Sequence, residues 1–193
     1  MYNEYHGVFQ GCTPKGWVGF HAATTAPPDC PNIGDTCRDG TIYAGLSPDG
    51  NVPMYAMPTD GPDETYTWNS GVTSSVDTAM ENCSSTSSTV ASCNTGRANT
   101  ALLAALTETP APYKAAQYCE GLVANGHGDW YLPSQNELKL LYKLYQAGKG
   151  GFVLERYWSS SENQGYYAWG HNFSGSQFQI NKYINIRVRC VRR

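Results

Sequence analysis

Serine, histidine and cysteine are the side chains here that could carry covalent chemistry, and their spacing argues against it. The run Ser159-Ser160-Ser161 offers hydroxyl nucleophiles, but an activated serine needs a partnering base, and in the common hydrolase motif a strained Gly-x-Ser-x-Gly elbow. No such elbow surrounds the run, and the four histidines, His6, His21, His127 and His171, are scattered. The three serines are therefore read as hydrogen-bonding groups in a turn. The acidic residues Asp60, Asp63, Glu64, Asp129, Glu155 and Glu162 lack the regular spacing of a calcium loop. Neither catalytic residues nor a metal set nor a cofactor is expected.

Seven cysteines occur without a Cys-x-x-Cys pair, which fits neither a zinc ribbon nor a redox dithiol. Cys30 and Cys37, and likewise Cys83 and Cys93, are spaced for short covalent loops. Cys119 falls in a helical pattern and Cys190 in the last strand pattern, so a bridge between them would tie the chain end to its middle. This usage points to an oxidising compartment. The alternative is that several are small buried hydrophobes. Cys12 is left over, either unpaired or linked to another chain.

Recognition is the stronger signal. Residues 164–186 read QGYYAWGHNFSGSQFQINKYINI, with six aromatics and a single formal charge, Lys182. Tyrosine gives a large contact area for little lost rotamer entropy, while Ser, Gly and Asn supply adaptable hydrogen bonds, the composition of a paratope. The residues expected to contact a ligand are Gln164, Gly165, Tyr166, Tyr167, Gly170, His171, Asn172, Ser174, Ser176, Phe178, Ile180, Asn181, Tyr183, Ile184, Asn185 and Ile186. The competing reading is an ordinary antiparallel edge with Ile184 and Ile186 in the core.

The 193 residues fit one large domain, and a net charge of -3 with 15% charged residues provides no field for a phosphate backbone, so nucleic acid is excluded as a partner. No apolar run approaches the roughly 20 residues that span a bilayer, and the N-terminus lacks a signal-peptide layout, so direct membrane insertion is not expected.

The elements that must position this segment are short. Turn signals at Asp39-Gly40, Asp49-Gly50 and Asp60-Gly61-Pro62 punctuate brief apolar runs, giving a loop-rich lobe over 1–110. Ser, Thr and Asn dominate 70–100, where no regular structure is assigned. A helix is predicted over 112–123, and a second opens on Ser134, with Glu137 completing a capping box and Gly148 closing it. Beyond it Phe178, Ile180, Ile184, Ile186, Val188 and Cys190 recur with period two, the mark of strand. The fold class is α+β, with two helices, short antiparallel strands and long loops. No internal repeat is visible.

The run Gly128-Asp129-Trp130-Tyr131-Leu132-Pro133-Ser134-Gln135-Asn136-Glu137-Leu138, then Tyr157-Trp158-Ser159-Ser160-Ser161-Glu162, Ala168-Trp169, Asn172-Phe173 and Arg187-Val188-Arg189-Cys190-Val191-Arg192, resembles the C-terminal domain of collagen-like bacterial adhesins, which has the C-type lectin fold. The resemblance is strongest over 112–193. It implies a single decorated domain over 1–193, with a core from 111 to 193. It also implies a non-enzymatic ligand-binding protein outside the cell, on a cell or virion surface, whose partner is a protein or glycan receptor on another cell or a host. The Glu-Pro-Asn and Gln-Pro-Asp motifs of calcium-dependent sugar binding are absent.

One subset of that family consists of variable proteins of diversity-generating retroelements, in which adenine-directed mutagenesis of Asn-type codons rewrites surface residues. Ala168-Trp169, Asn172-Phe173, Lys182 and Arg187 to Cys190 resemble the fixed frame of that subset, while Gln164, Gln177 and Gln179 depart from its codon pattern. Trp130, Trp158 and Trp169 are read as packing residues of the frame. An invariant adhesin or structural module is the alternative. A formylglycine-generating-type oxidase shares the fold, but its chemistry needs a reactive cysteine near the C-terminus, where Cys190 has a plausible partner in Cys119.

Overall fold

The computed structural model describes residues 29–62, 65–69, 80–83, 90–106 and 112–193 in full, and residues 2–3, 8–13 and 16–20 as backbone strands. Those strands, β1 (Tyr2–Asn3), β2 (Val8–Thr13) and β3 (Gly16–Phe20), form an antiparallel meander. Cys12 lies on β2 opposite Trp17, but its side chain, and with it the expectation of an unpaired thiol, lies outside the described residues.

The two apolar runs punctuated by Asp-Gly turns become β4 (Ile42–Leu46) and β5 (Pro53–Ala56), paired antiparallel. Their third strand is β9 (Val191–Arg192), which joins β5 through Tyr55 opposite Arg192 and Ala56 opposite Val191. The far end of the chain thus completes the sheet of the loop-rich lobe. A further sheet is the meander β6 (Arg156–Gln164), β7 (Tyr167–Asn172) and β8 (Ser176–Asn181), whose register sets Trp158, Gly170 and Phe178 side by side. Gly170 has to be glycine, because a Cβ there would stand 2.6 Å from the Tyr157 carbonyl and 2.7 Å from the Phe178 ring.

Among the described residues, three α-helices are present where two were expected: α1 (Gly96–Ala105), α2 (Lys114–Glu120) and α3 (Gln135–Gln146). The capping box of α3 is formed as the sequence predicts, with Ser134 accepting from the Glu137 amide and Glu137 accepting from the Ser134 amide. The first half of helix α1 lies in the stretch, 70–100, read as a polar excursion. Its buried residues are Gly96, Asn99, Thr100 and Leu103, so its inward face carries almost no apolar period to detect. Thr100 donates to the Gly96 carbonyl at 2.7 Å and accepts from the Leu132 amide at 3.0 Å, and Asn99 donates to the Ser92 carbonyl at 2.7 Å. Hydrogen bonds do there what side-chain burial does in an ordinary amphipathic helix.

The period-two run after Phe178 is also not one strand. β8 stops at Asn181, residues 182–184 turn, and Ile186 and Arg187 make isolated bridges to Tyr66 and Tyr157. Burial still follows the period at Ile186, Val188 and Cys190, but Arg189 between them is buried too.

Two cores result. Trp68, Tyr113, Trp130, Leu132, Trp158 and Val188 pack around the Cys119–Cys190 disulfide, while Ile42, Met54, Leu138, Leu141, Phe173 and Val191 fill the space between α3 and the lobe sheet. Cys30–Cys37 and Cys83–Cys93 are bonded as well.

Charge is buried in an organised way. Glu137 is fully enclosed; its carboxylate accepts from the Ser47 hydroxyl at 2.7 Å, the Tyr131 hydroxyl at 2.8 Å and the Ser134 amide at 2.8 Å. Burial raises its pKa despite these donors. Arg189 donates to Asp60 at 2.6 Å and to the Met57, Gly150 and Gly151 carbonyls, with its guanidinium 4.1 Å over the Phe152 ring. Lys182 and Glu162, 1% and 0% exposed, pair with each other, the ammonium 4.6 Å over the Trp68 ring.

Removing one partner of a buried pair leaves the other charge stranded, so Lys182→Met should cost about 3–5 kcal/mol in urea denaturation, and adding Glu162→Gln should recover part of the loss. Asp39 gives a pH-dependent counterpart. Burial opposes its ionisation, but the Thr41 hydroxyl and amide, His127 and Arg192 outweigh it and lower the carboxyl from 3.8 to about 2. Because the folded value is the lower one, the contribution is complete above 3.8 and disappears as pH falls toward 2. The difference in Tm between the wild type and Asp39→Asn should therefore shrink across that interval, and a constant difference would show that Asp39 acts through packing alone.

Candidate ligand-binding face

The residues expected to meet a ligand separate into three groups. Gln164, Tyr166, Tyr167, Ser174, Ser176, Tyr183 and Asn185 are exposed. Among them the three tyrosines stand 53%, 38% and 49% open. Gly165, Asn172, Phe178, Ile180, Asn181 and Ile184 are half-buried, and Phe178, Ile180 and Ile184 lean on the first core. Gly170, His171 and Ile186 are buried, so these three are framework and not open contacts. Gly170 is closed in by Tyr157 and Phe178, and Ile186, 7% exposed, is held by paired hydrogen bonds to Tyr66. His171 stacks on Tyr142 of α3 with ring centroids 4.2 Å apart. Burial lowers its pKa, so the ring packs as a neutral group.

The strand preceding the segment supplies its foundation. Ser159, Ser160 and Ser161 are buried in β6 itself, not in a turn as expected. Ser159 donates to the Trp169 carbonyl at 2.8 Å, and Ser161 donates to Ser92 at 2.7 Å while accepting from the Gln135 amide at 2.9 Å. The indoles are likewise satisfied: Trp158 donates to the Tyr66 carbonyl at 2.7 Å, and Trp169 donates to Cys83 while packing on the Cys83–Cys93 bridge. At the other end, the Lys182 amide donates to Tyr166 at 3.0 Å and its carbonyl accepts from Trp68 at 2.8 Å. Strand β8 with its flanking turns is therefore pinned at Trp169 and again at Lys182.

A cleft in two parts, joined at Arg156, lies along the segment. The larger, about 460 Å³, has Ile184 and Ile186 on its floor, with Thr65, Glu155, Asn185 and Arg187 around it; the smaller, about 220 Å³, is built on Phe178 and Ile180 with Asn172, Ser176 and Gln179 at its edge. Arg156 lines both parts, with its guanidinium 5.7 Å from the Phe178 ring. Sequence reasoning missed Arg156, Glu155, Arg187 and Thr65. Parity along β6 places Arg156 on the face of Trp158, but its neighbours Asn172 and Ser176 emerge only from the strand register.

Chemically the arrangement can bind but has little to react with. Cys190 is bonded to Cys119, so it offers no thiol for formylglycine-type oxidation. Asp29, Cys30 and Cys37 bring ligand-type atoms together, yet both sulfurs are joined to each other. Among the described residues, no helix is long and apolar enough to cross a membrane.

Residues 59–192 match the family described as the Lcl C-terminal domain. The matched region begins well upstream of residue 112 and takes in the whole candidate face. No curated protein matches the chain.

A melting series separates surface from framework. Tyr166→Ser, Tyr167→Ser and Tyr183→Ser should each change stability by no more than about 0.5 kcal/mol. Ile186→Ala should cost about 2–5 kcal/mol, and Trp169→Ala about 3–5 kcal/mol. Equal large losses at the tyrosines would make the segment structural throughout.

Proposed function

The chain belongs to the Lcl C-terminal domain family, an adhesin-type family and not a known enzyme family, and from that premise we propose that it binds a macromolecular receptor through a diversified surface carried by residues 164–186. On this reading it is a variable protein of a diversity-generating retroelement. Its disulfides and family fit an extracellular location, and we place it on a cell or virion surface, facing a receptor on another cell or host.

The observation that carries the reading is the contrast between neighbours in one short segment. Tyr166, Tyr167 and Tyr183 project into solvent, while Ala168, Trp169, Phe173 and Lys182, which share their strands and turns, are buried. Exposed aromatics cost solubility and contribute nothing to the core, so their clustering on one edge calls for a partner. Gly170, His171 and Ile186 belong with the fixed positions.

Two experiments test this. Sequencing the encoding locus should reveal a reverse transcriptase and a near-copy of the 3′ coding segment whose mismatches fall at adenines; a locus with neither would leave an invariant adhesin. Independently, a displayed library randomised at Gln164, Tyr166, Tyr167, Tyr183 and Asn185 should stay folded in most members and yield binders to arbitrary protein targets. A library that mostly unfolds would remove the diversified-surface reading.

A further inference from the structure

Arg156 differs from the arginines at the end of the chain. Arg187 and Arg189 are drawn to Asp60, Arg192 to Asp39, and Arg193 to Asp49. Arg156 is exposed, leans over Phe178, and makes no ion pair among the described residues. It also stands where the two parts of the cleft meet. An unpaired guanidinium on an aromatic face, between two apolar floors, is a directional anchor: its planar fork matches a carboxylate.

We infer that this double cleft takes an extended peptide segment of a partner protein, with one Asp or Glu side chain on Arg156 and apolar side chains on either side, over Ile184 in the larger part and over Phe178 and Ile180 in the smaller. The rims favour a peptide. Asn172, Gln179 and Asn185 each carry both a donor and an acceptor, as a peptide main chain requires. A polyanion would need several cations without carboxylate partners, and among the described residues lining the cleft Arg156 alone makes no ion pair, with Glu155 beside it to repel dense negative charge. Arg156 lies outside residues 164–186, so a fixed anchor stands beside the changing surface: Arg156 would hold the acidic residue while positions of the segment choose its neighbours.

The inference rests on the ligand-binding reading but fails separately from it. The probe is the blocked peptide acetyl-Phe-Glu-Leu-amide against its Phe-Gln-Leu twin, titrated into the intact chain and followed by amide shift mapping. The acidic peptide should shift Arg156, Phe178, Ile184 and Ile186 and bind roughly tenfold more tightly than its twin. Arg156→Gln, at an exposed position, should keep the Tm and abolish that preference. Equal binding of the two peptides, binding of neither, an unchanged preference in Arg156→Gln, or displacement by tripolyphosphate would each overturn it. The locus and library results would stand in any of those cases. The comparison of the two peptides requires no variant, so it decides even if Arg156→Gln misfolds.

Discussion

The ammonium of Lys182 has no water to solvate it, and the Glu162 carboxylate and the Trp68 ring take the place of that water. A buried charge of this kind is tolerated only in the geometry that satisfies it. Lys182 sits in the turn that ends β8, Glu162 in β6 and Trp68 in a segment without regular structure. Their meeting therefore fixes three pieces of chain that share little secondary structure. The Lys182 backbone adds bonds to Tyr166, Trp68 and Asn69. A turn that would otherwise follow the whims of its exposed neighbours is held from inside.

The same logic recurs at Glu137 and Arg189. Each is a charged side chain in the interior with partners from distant parts of the sequence: Ser47 for Glu137, Asp60 and the 150–151 carbonyls for Arg189. Gly96 shows how tight this is, since a Cβ there would lie 2.1 Å from a Glu137 oxygen. Loops are joined by polar hubs that demand one arrangement, and apolar packing fills the space between the hubs. A scaffold so specified from within leaves the outer positions of β7 and β8, and the turns beside them, free to carry whatever a partner requires.

How much of this was readable beforehand depends on where the signal resides. The α3 capping box is local, so Ser134 and Glu137 announced it. The cysteine spacings suggested the short bridges, and β4 and β5 were marked by their Asp-Gly turns. Helix α1 was not legible, because Asn99 and Thr100 face inward and the periodic signal depends on apolar residues doing so. In residues 164–186, composition pointed to the exposed tyrosines but could not separate them from Gly170, His171 and Ile186, whose burial arises from Tyr157, Tyr142 and Tyr66 elsewhere in the chain. Arg156 was invisible for a related reason: a lone arginine at a strand start acquires meaning only when the register places it beside Phe178 and between two hollows.

The Cys119–Cys190 bridge spans 71 positions of sequence and encloses α3 and the entire β6–β8 sheet. A protein that bound a receptor as proposed would be pulled upon. Tension entering the chain before residue 119 and leaving it after residue 190 would pass through the sulfur–sulfur link and bypass the enclosed sheet, which could not be reeled out while that link stands. A load applied at the exposed face itself would shear β8 against β7, with the Glu162–Lys182 pair as the first internal resistance. The covalent loop thus makes this part of the fold a closed ring instead of a thread, and sets the amount of chain that force can extract.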